Sequence, residues 1–166
     1  MRINAIKLAE RKYAQGQAPV YMYLFAWRSP ALGGKLGAPH TVEIPFVFDN
    51  TDIPKVMTAG GLDVKALAAR TSEAWIQFAR SGNPNHEGLP NWPAYTTGER
   101  ATMVFDNACK VVDDPGSEEE ALGKPLNCDQ MLLLQLQVIP CRNPGPMLAF
   151  CLHREVAQVG TSWNFV

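Results

Sequence analysis

The sequence lacks the patterns that mark metal and redox sites. It has four cysteines, Cys109, Cys128, Cys141 and Cys151. They form no CxxC pair, no HExxH motif occurs, and Cys151 and His153 are too close together for the usual spacing of zinc ligands. We therefore predict no metal site and no cofactor, and we interpret the cysteines as free thiols. A cysteine-dependent or metal-dependent hydrolase built on His40 or His153 has little support.

Charge of one sign and long apolar segments are also missing. The 15 basic and 16 acidic side chains give a formal net charge of −1. No nucleic acid and no anionic membrane is therefore expected as an electrostatically bound partner. The leucine-rich run at residues 131–139 is far shorter than the roughly 20 residues that span a bilayer. Residues 2–13 contain no apolar core of a signal peptide, which indicates a cytoplasmic protein if Met1 is the true start.

What is present at the beginning of the chain is a helical pattern followed by a fully apolar run. Apolar residues recur with a helical period over residues 3–15, and Gly16 is a natural C-terminal stop. Residues 20–27 are apolar on both faces and rich in aromatic side chains, which predicts a strand buried in the middle of a helix-covered sheet. A helix followed by such a strand favours an α/β fold.

The pattern after this strand predicts a loop, a long helix and a hairpin. Glycines and prolines punctuate residues 28–39, and His40 follows at the carboxyl end of the strand, where open α/β sheets place their chemistry. Between residues 63 and 80, apolar residues recur at steps of three and four and so share one helix face. Residues 101–105 and 109–112 are typical of two short strands joined in a hairpin.

Composition changes after residue 115, so we divide the chain into residues 1–115 and 116–166. The second segment begins with an acidic run at residues 118–120 and continues without a clear period. Its pattern allows a short helix near residues 129–138. We interpret the segment as a divergent tail, either disordered or produced by a frame change near Ser117, and a genuine extension stays open as well.

Four pieces of the first segment resemble one enzyme family, in that family's order. They are residues 37–48 with His40 and Glu43, residues 74–85, residues 89–95, and residues 99–115. Together they resemble the C-terminal portion of the type-B carboxylesterases, serine hydrolases of the α/β-hydrolase fold. The resemblance implies an α/β fold in which a helix, a buried strand, the His loop, a long helix and a terminal hairpin form part of an α/β-hydrolase. The sheet would be incomplete in this chain.

The same resemblance implies a role for His40. It would act as the general base that takes the proton of a serine hydroxyl, and then as the acid that protonates the departing alcohol. The substrate would be a small-molecule carboxylic ester. Glu43 would fix the loop by hydrogen bonding or pairing, or would be a solvated carboxylate. The competing interpretation of His40 is a satisfied loop histidine without a catalytic role.

The chain departs from the family pattern at the nucleophile. The motif G-x-S-x-G does not occur, a glycine-rich oxyanion loop is absent, and only 39 residues precede His40. None of the serines has glycines on both sides: Ser29, Ser72, Ser81, Ser117 and Ser162. We therefore expect a chain that is inactive alone and is completed by an N-terminal esterase portion. The alternative hypothesis is a non-catalytic remnant that acts as a partner-binding protein.

Overall fold

The computed structural model describes residues 2–117 and 135–140, which form four α-helices, one short 3-10 turn (Ala31–Gly34) and one mixed sheet. The helices are α1 (Arg2–Gln15), α2 (Ile44–Val47), α3 (Lys55–Thr58) and α4 (Leu62–Ser81). The strands are β1 (Val20–Phe25), β2 (Ala101–Phe105), β3 (Lys110–Asp113) and β4 (Gln135–Pro140). Their order in the sheet is β3-β2-β1-β4. The predicted first helix, buried strand, long helix and hairpin are confirmed.

β1 is buried on both faces, as its apolar sequence predicts. Every second residue, beginning with Tyr21, joins the core that α4 covers, and the residues between them, beginning with Val20, join a second core formed with α1. Alternating side chains of a strand point to opposite faces, so one short strand serves both cores. The strand ends at Phe25, two residues before the predicted limit, although Trp27 remains buried.

The long helix α4 connects β1 with the hairpin, and this explains the strand directions. β2 runs parallel to β1, with Met22 opposite Thr102 and Phe25 opposite Phe105. Parallel neighbours need a long crossover connection, which the chain between these strands supplies. β3 then pairs antiparallel with β2, as the predicted hairpin requires.

An ion-pair network fastens α1 to the hairpin. The Arg100 guanidinium lies 2.9 Å from the Glu10 carboxylate and 3.3 Å from that of Asp114. Burial alone would lower the pKa of Arg100, but the negative charge of Asp114, with the hydrogen bond to Glu10, outweighs it and the pKa rises. Because these side chains are partly exposed, we expect a modest contribution to stability.

The structure corrects one prediction in the second segment. Residues 135–140 belong to a strand and not to a helix near 129–138, while residues 129–134 lie outside the described residues. β4 pairs antiparallel with β1 along its whole length. Valine and isoleucine in this stretch favour a strand once the backbone groups of β1 are available to pair with. The prediction of a disordered or frame-changed tail stays a prediction.

Across the part of the chain that the structure describes, every helix is too short or too polar to span a lipid bilayer.

The burial of α4 generates a stability prediction. Leu67 is completely buried in the core below β1, whereas Leu62 at the start of the same helix is 88% exposed. We expect Leu67→Ala to lower the free energy of unfolding by about 2–5 kcal/mol through lost contacts and a residual cavity. The same truncation at Leu62 should change it by less than about 0.5 kcal/mol. Denaturant unfolding of both variants checks this, and equal losses would contradict the assignment of the buried face.

Candidate functional site

The loop that carries His40 is fastened to the carboxyl end of β1 through Ser29. The buried Ser29 donates its backbone N–H to the carbonyl of Gly37 at 2.8 Å, which closes the loop on itself. Its hydroxyl donates to the carbonyl of Met57 and accepts the N–H of Ala31. Ser29 therefore positions the loop, and its hydroxyl is already engaged on both sides. Nothing in the sequence around Ser29 marks this role, because it depends on a contact with Met57, which is distant in the chain.

His40 lies in an exposed turn between buried neighbours. Ala38 precedes it and Val42 follows it, and both side chains are buried. The N–H of Val42 donates to the carbonyl of Pro39 at 3.1 Å, so the turn folds tightly around His40. The imidazole is thus presented at the surface by a segment whose two sides are anchored in the interior.

Thr41, directly after His40, has a left-handed backbone conformation. Its φ is 73°, a region that a β-branched residue rarely adopts. Its hydroxyl donates to the carbonyl of His40. Such a conformation costs on the order of 1–3 kcal/mol and persists when the surrounding packing determines it. The sequence gives no signal of this strain, because threonine is not a residue that marks a left-handed turn.

Phe46 anchors the segment after the turn. Its ring is fully buried, with its centroid 5.0 Å from that of Phe25 and 4.9 Å from that of Trp27. Phe25 ends β1 and Trp27 follows it, so Phe46 packs the short helix α2 against the end of the strand. Phe46 therefore has a packing role.

Glu43 is buried, which excludes the solvated carboxylate that the sequence left open. It has only 3% of its surface exposed and stands at the N-terminal end of α2, where its carbonyl accepts the N–H groups of Phe46 and Val47. Burial raises the pKa of the Tyr23 hydroxyl well above its ordinary value, and the negative charge of Glu43 adds to the rise. The carboxylate therefore faces the interior near Tyr23, whereas His40 faces solvent.

Exposed apolar side chains are concentrated in the same region. Six of the ten large hydrophobic residues that the structure exposes fall between residues 32 and 62. We call them the His-flanking apolar surface: Leu32, Ile44, Phe48, Ile53, Val56 and Leu62. The turn that holds Leu32 contacts α3, and α2 contacts α4, so the surface is carried by two pairs of contacting segments. Apolar exposure on this scale is typical of a surface that another protein part covers.

The remaining histidine and cysteine of the described residues have structural environments. His86 Nε2 lies 3.0 Å from the carbonyl of Arg70, and its Nδ1 accepts the N–H of Gly88 at 3.1 Å, so both ring nitrogens hold the loop. Burial raises the pKa of the Cys109 thiol, which keeps the sulfur in its less reactive protonated form. Cys128, Cys141, Cys151 and His153 lie outside the described residues.

Within residues 2–117 and 135–140, no three side chains of histidine, cysteine, aspartate or glutamate come together as a metal site would require.

Ser81, the serine closest to a glycine-flanked pattern, donates its hydroxyl to the carbonyl of Gln77 at 2.9 Å in the last turn of α4. This hydrogen bond closes the last turn of the helix. Ser162 lies outside the described residues.

Comparisons with known proteins agree on one family. The model of the family described as "Carboxylesterase family" matches residues 1–121. Para-nitrobenzyl esterase of Bacillus subtilis (strain 168) is 40% identical over 112 residues, which cover 64% of this chain and 22% of that protein. Phenmedipham hydrolase of Pseudarthrobacter oxydans is 39% identical over 104 residues, covering 58% of this chain and 20% of the hydrolase.

The solved structures that resemble the chain are carboxylesterases too. The crystal structure of the Geobacillus stearothermophilus carboxylesterase EST55 at pH 6.2 aligns with a TM-score of 0.59 and 42% sequence identity. The alignment covers 70% of this chain and 24% of that one. The chain is therefore part of an α/β-hydrolase fold, as predicted, and it spans about a fifth to a quarter of the length of the relatives it matches.

The strain at Thr41 can be tested directly. Glycine adopts a positive φ without a steric penalty, so Thr41→Gly should raise the free energy of unfolding by about 1 kcal/mol. Thr41→Ala keeps a Cβ atom and should bring no such gain. Denaturant unfolding of the two variants measures the difference. A Thr41→Gly variant that is no more stable than Thr41→Ala would show that the turn is unstrained.

Proposed function

Because the chain belongs to the carboxylesterase family, we propose that it supplies the catalytic histidine, His40, of a serine hydrolase that cleaves small-molecule carboxylic esters. The observation that carries this proposal is the placement of His40. It lies within the residues that match the family and is presented at the surface by an anchored loop. That loop leaves the carboxyl end of a buried strand, where open α/β sheets hold their ligands.

The chemistry assigned to His40 has two proton transfers in each half-reaction. The imidazole takes the proton of a serine hydroxyl as the serine oxygen attacks the ester carbonyl and forms a tetrahedral intermediate. When the carbon–oxygen bond to the alcohol breaks, the imidazolium returns that proton to the departing alcohol and an acyl-enzyme remains. Water then takes the place of the serine hydroxyl, and the carboxylic acid leaves by the same two transfers.

The loop architecture supports this role, because a general base must be held within hydrogen-bond reach of its proton donor. Ser29 closes the loop, and Phe46 packs its far end onto β1. We assign Glu43 as a positioning residue that acts through the backbone of this segment. It is not the acid of the catalytic triad, because that acid precedes the histidine in the order of the α/β-hydrolases.

We further propose that the 166-residue chain is inactive by itself. It contains no G-x-S-x-G motif and no glycine-rich oxyanion loop, so the nucleophile and the hydrogen-bond donors for the tetrahedral oxyanion must come from another polypeptide segment. The His-flanking apolar surface supports this view, because its side chains are exposed on the segments before and after His40 in the chain and exposed apolar side chains are what a partner covers. The partner would be the N-terminal portion of an esterase.

The second candidate function is non-catalytic partner binding. The same apolar surface favours it, since such a surface can hold a partner without any chemistry at His40. The two functions differ in what they require of His40: ester hydrolysis depends on the imidazole, whereas binding through the apolar side chains does not.

Complementation tests the proposal. The partner is the N-terminal portion of the Bacillus subtilis para-nitrobenzyl esterase, ending where its similarity to this chain begins. We expect the chain alone to be inactive and the mixture to hydrolyse a nitrophenyl ester. His40→Ala should lower that rate by about 10²–10⁴-fold, which is the usual contribution of a positioned general acid–base. The control is Lys35→Ala, an exposed change in the same loop, which should leave the rate unchanged.

Hydrolysis that survives His40→Ala would overturn the catalytic assignment. A stoichiometric complex that shows no hydrolysis, and that forms equally well with His40→Ala, would establish the partner-binding function instead.

A further inference from the structure

The backbone of β1 is paired on both of its sides, and only one of the two neighbouring strands lies inside the residues that match the family. β2, on one side, lies inside the residues that match the carboxylesterase family, which end at residue 121. β4, on the other side, begins at Gln135, beyond the family match. It pairs with the whole of β1, from Val20 opposite Pro140 to Phe25 opposite Gln135.

The second side of β1 cannot be left without a partner. All six residues of β1 are buried, and buried backbone N–H and C=O groups are almost always hydrogen-bonded. Among the described residues inside the family match, the strands other than β1 are β2 and β3, and both lie on the β2 side. In relatives several times longer than this chain, the strand on the second side must therefore come from outside the matched segment.

We propose that the second side of β1 is a binding surface for one extended strand from the rest of a carboxylesterase domain, and that β4 occupies this surface until that strand displaces it. The identity of the partner rests on the proposed function. A strand added to a sheet edge is a general mode of recognition in which backbone hydrogen bonds supply much of the affinity. Because the two strands would use the same backbone groups, their binding is mutually exclusive.

Its covalent connection makes β4 a suitable temporary occupant. β4 is joined to Ser117 by residues 118–134, and a covalent link keeps a displaced segment at a high effective concentration. β4 would therefore protect the edge of β1 against pairing with other chains and would slow, without preventing, the entry of the partner strand.

The first test examines the pairing in the full chain alone. The double variant Gln137→Pro/Val138→Pro removes two successive backbone N–H groups from β4. One of the two must face β1, because successive N–H groups of a strand point to opposite sides. Hydrogen exchange at the β1 amides that face β4 should accelerate by about tenfold or more, while amides that face β2 stay protected. Gln137→Thr/Val138→Thr keeps both N–H groups and favours a strand, so it should exchange like the unaltered chain.

The second test measures binding and not hydrolysis, so it separates this inference from the proposed function. The same N-terminal portion of the Bacillus subtilis esterase is mixed with each chain, and the association rate is followed by light scattering. The proline variant should associate about tenfold faster than the unaltered chain, because no strand has to leave first. Excess synthetic peptide of residues 133–142 should slow the variant again.

Several results would overturn the inference: equal association rates for the proline and threonine variants, no association with any variant, or unchanged exchange at the β1 amides. The proline variant could expose the edge of β1 and self-associate, and the peptide of residues 133–142 should then keep it monomeric. Self-association that the peptide does not prevent would also contradict the inference. A complex that forms faster but hydrolyses no ester would support the strand exchange while contradicting the catalytic proposal.

Discussion

The burial of β1 on both faces is the constraint on which the rest of the structure depends. A strand that is apolar on both sides needs a helix over each face and a hydrogen-bonded neighbour at each edge. α1 and α4 cover the faces, and β2 and β4 pair with the edges. Because both faces and both edges of β1 are held, the loop that follows its carboxyl end begins at a fixed position. This fixed position helps to determine where His40 lies.

The segment that carries His40 is anchored in the interior at both ends, whereas His40 itself is exposed. Ser29 and Phe46 hold its two ends, Glu43 is enclosed, and the strained Thr41 is kept in place by what surrounds it. Strain that packing maintains next to an exposed imidazole is a pattern typical of functional sites, where conformation is determined before the substrate arrives. The exposed apolar side chains on the segments before and after the histidine are consistent with the proposed partner portion, which would cover them.

Much of the fold could be predicted from the sequence, because its main elements have strong periodic signals. The double-sided apolar run of β1 and the one-sided pattern of α4 leave few alternative structures. The site was predicted only through resemblance, since a single histidine in a loop has no pattern of its own. Thr41 and Ser29 could not have been identified, because their roles arise from backbone conformation and from contacts with residues distant in the chain, such as Met57. β4 was missed because its pairing partner, and not its own propensity, decides its structure.

The proposed role of the His40 imidazole as the general base of an ester hydrolase can be measured in the assembled complex. The most direct measurement is chemical rescue of the complex between His40→Ala and the N-terminal portion of the Bacillus subtilis esterase by imidazole added to the solution. If His40 is that base, hydrolysis returns in proportion to the concentration of neutral imidazole, because the added base occupies the space that the substitution leaves. A fully formed complex whose hydrolysis does not respond to imidazole, although the unaltered chain gives an active complex, would contradict this role.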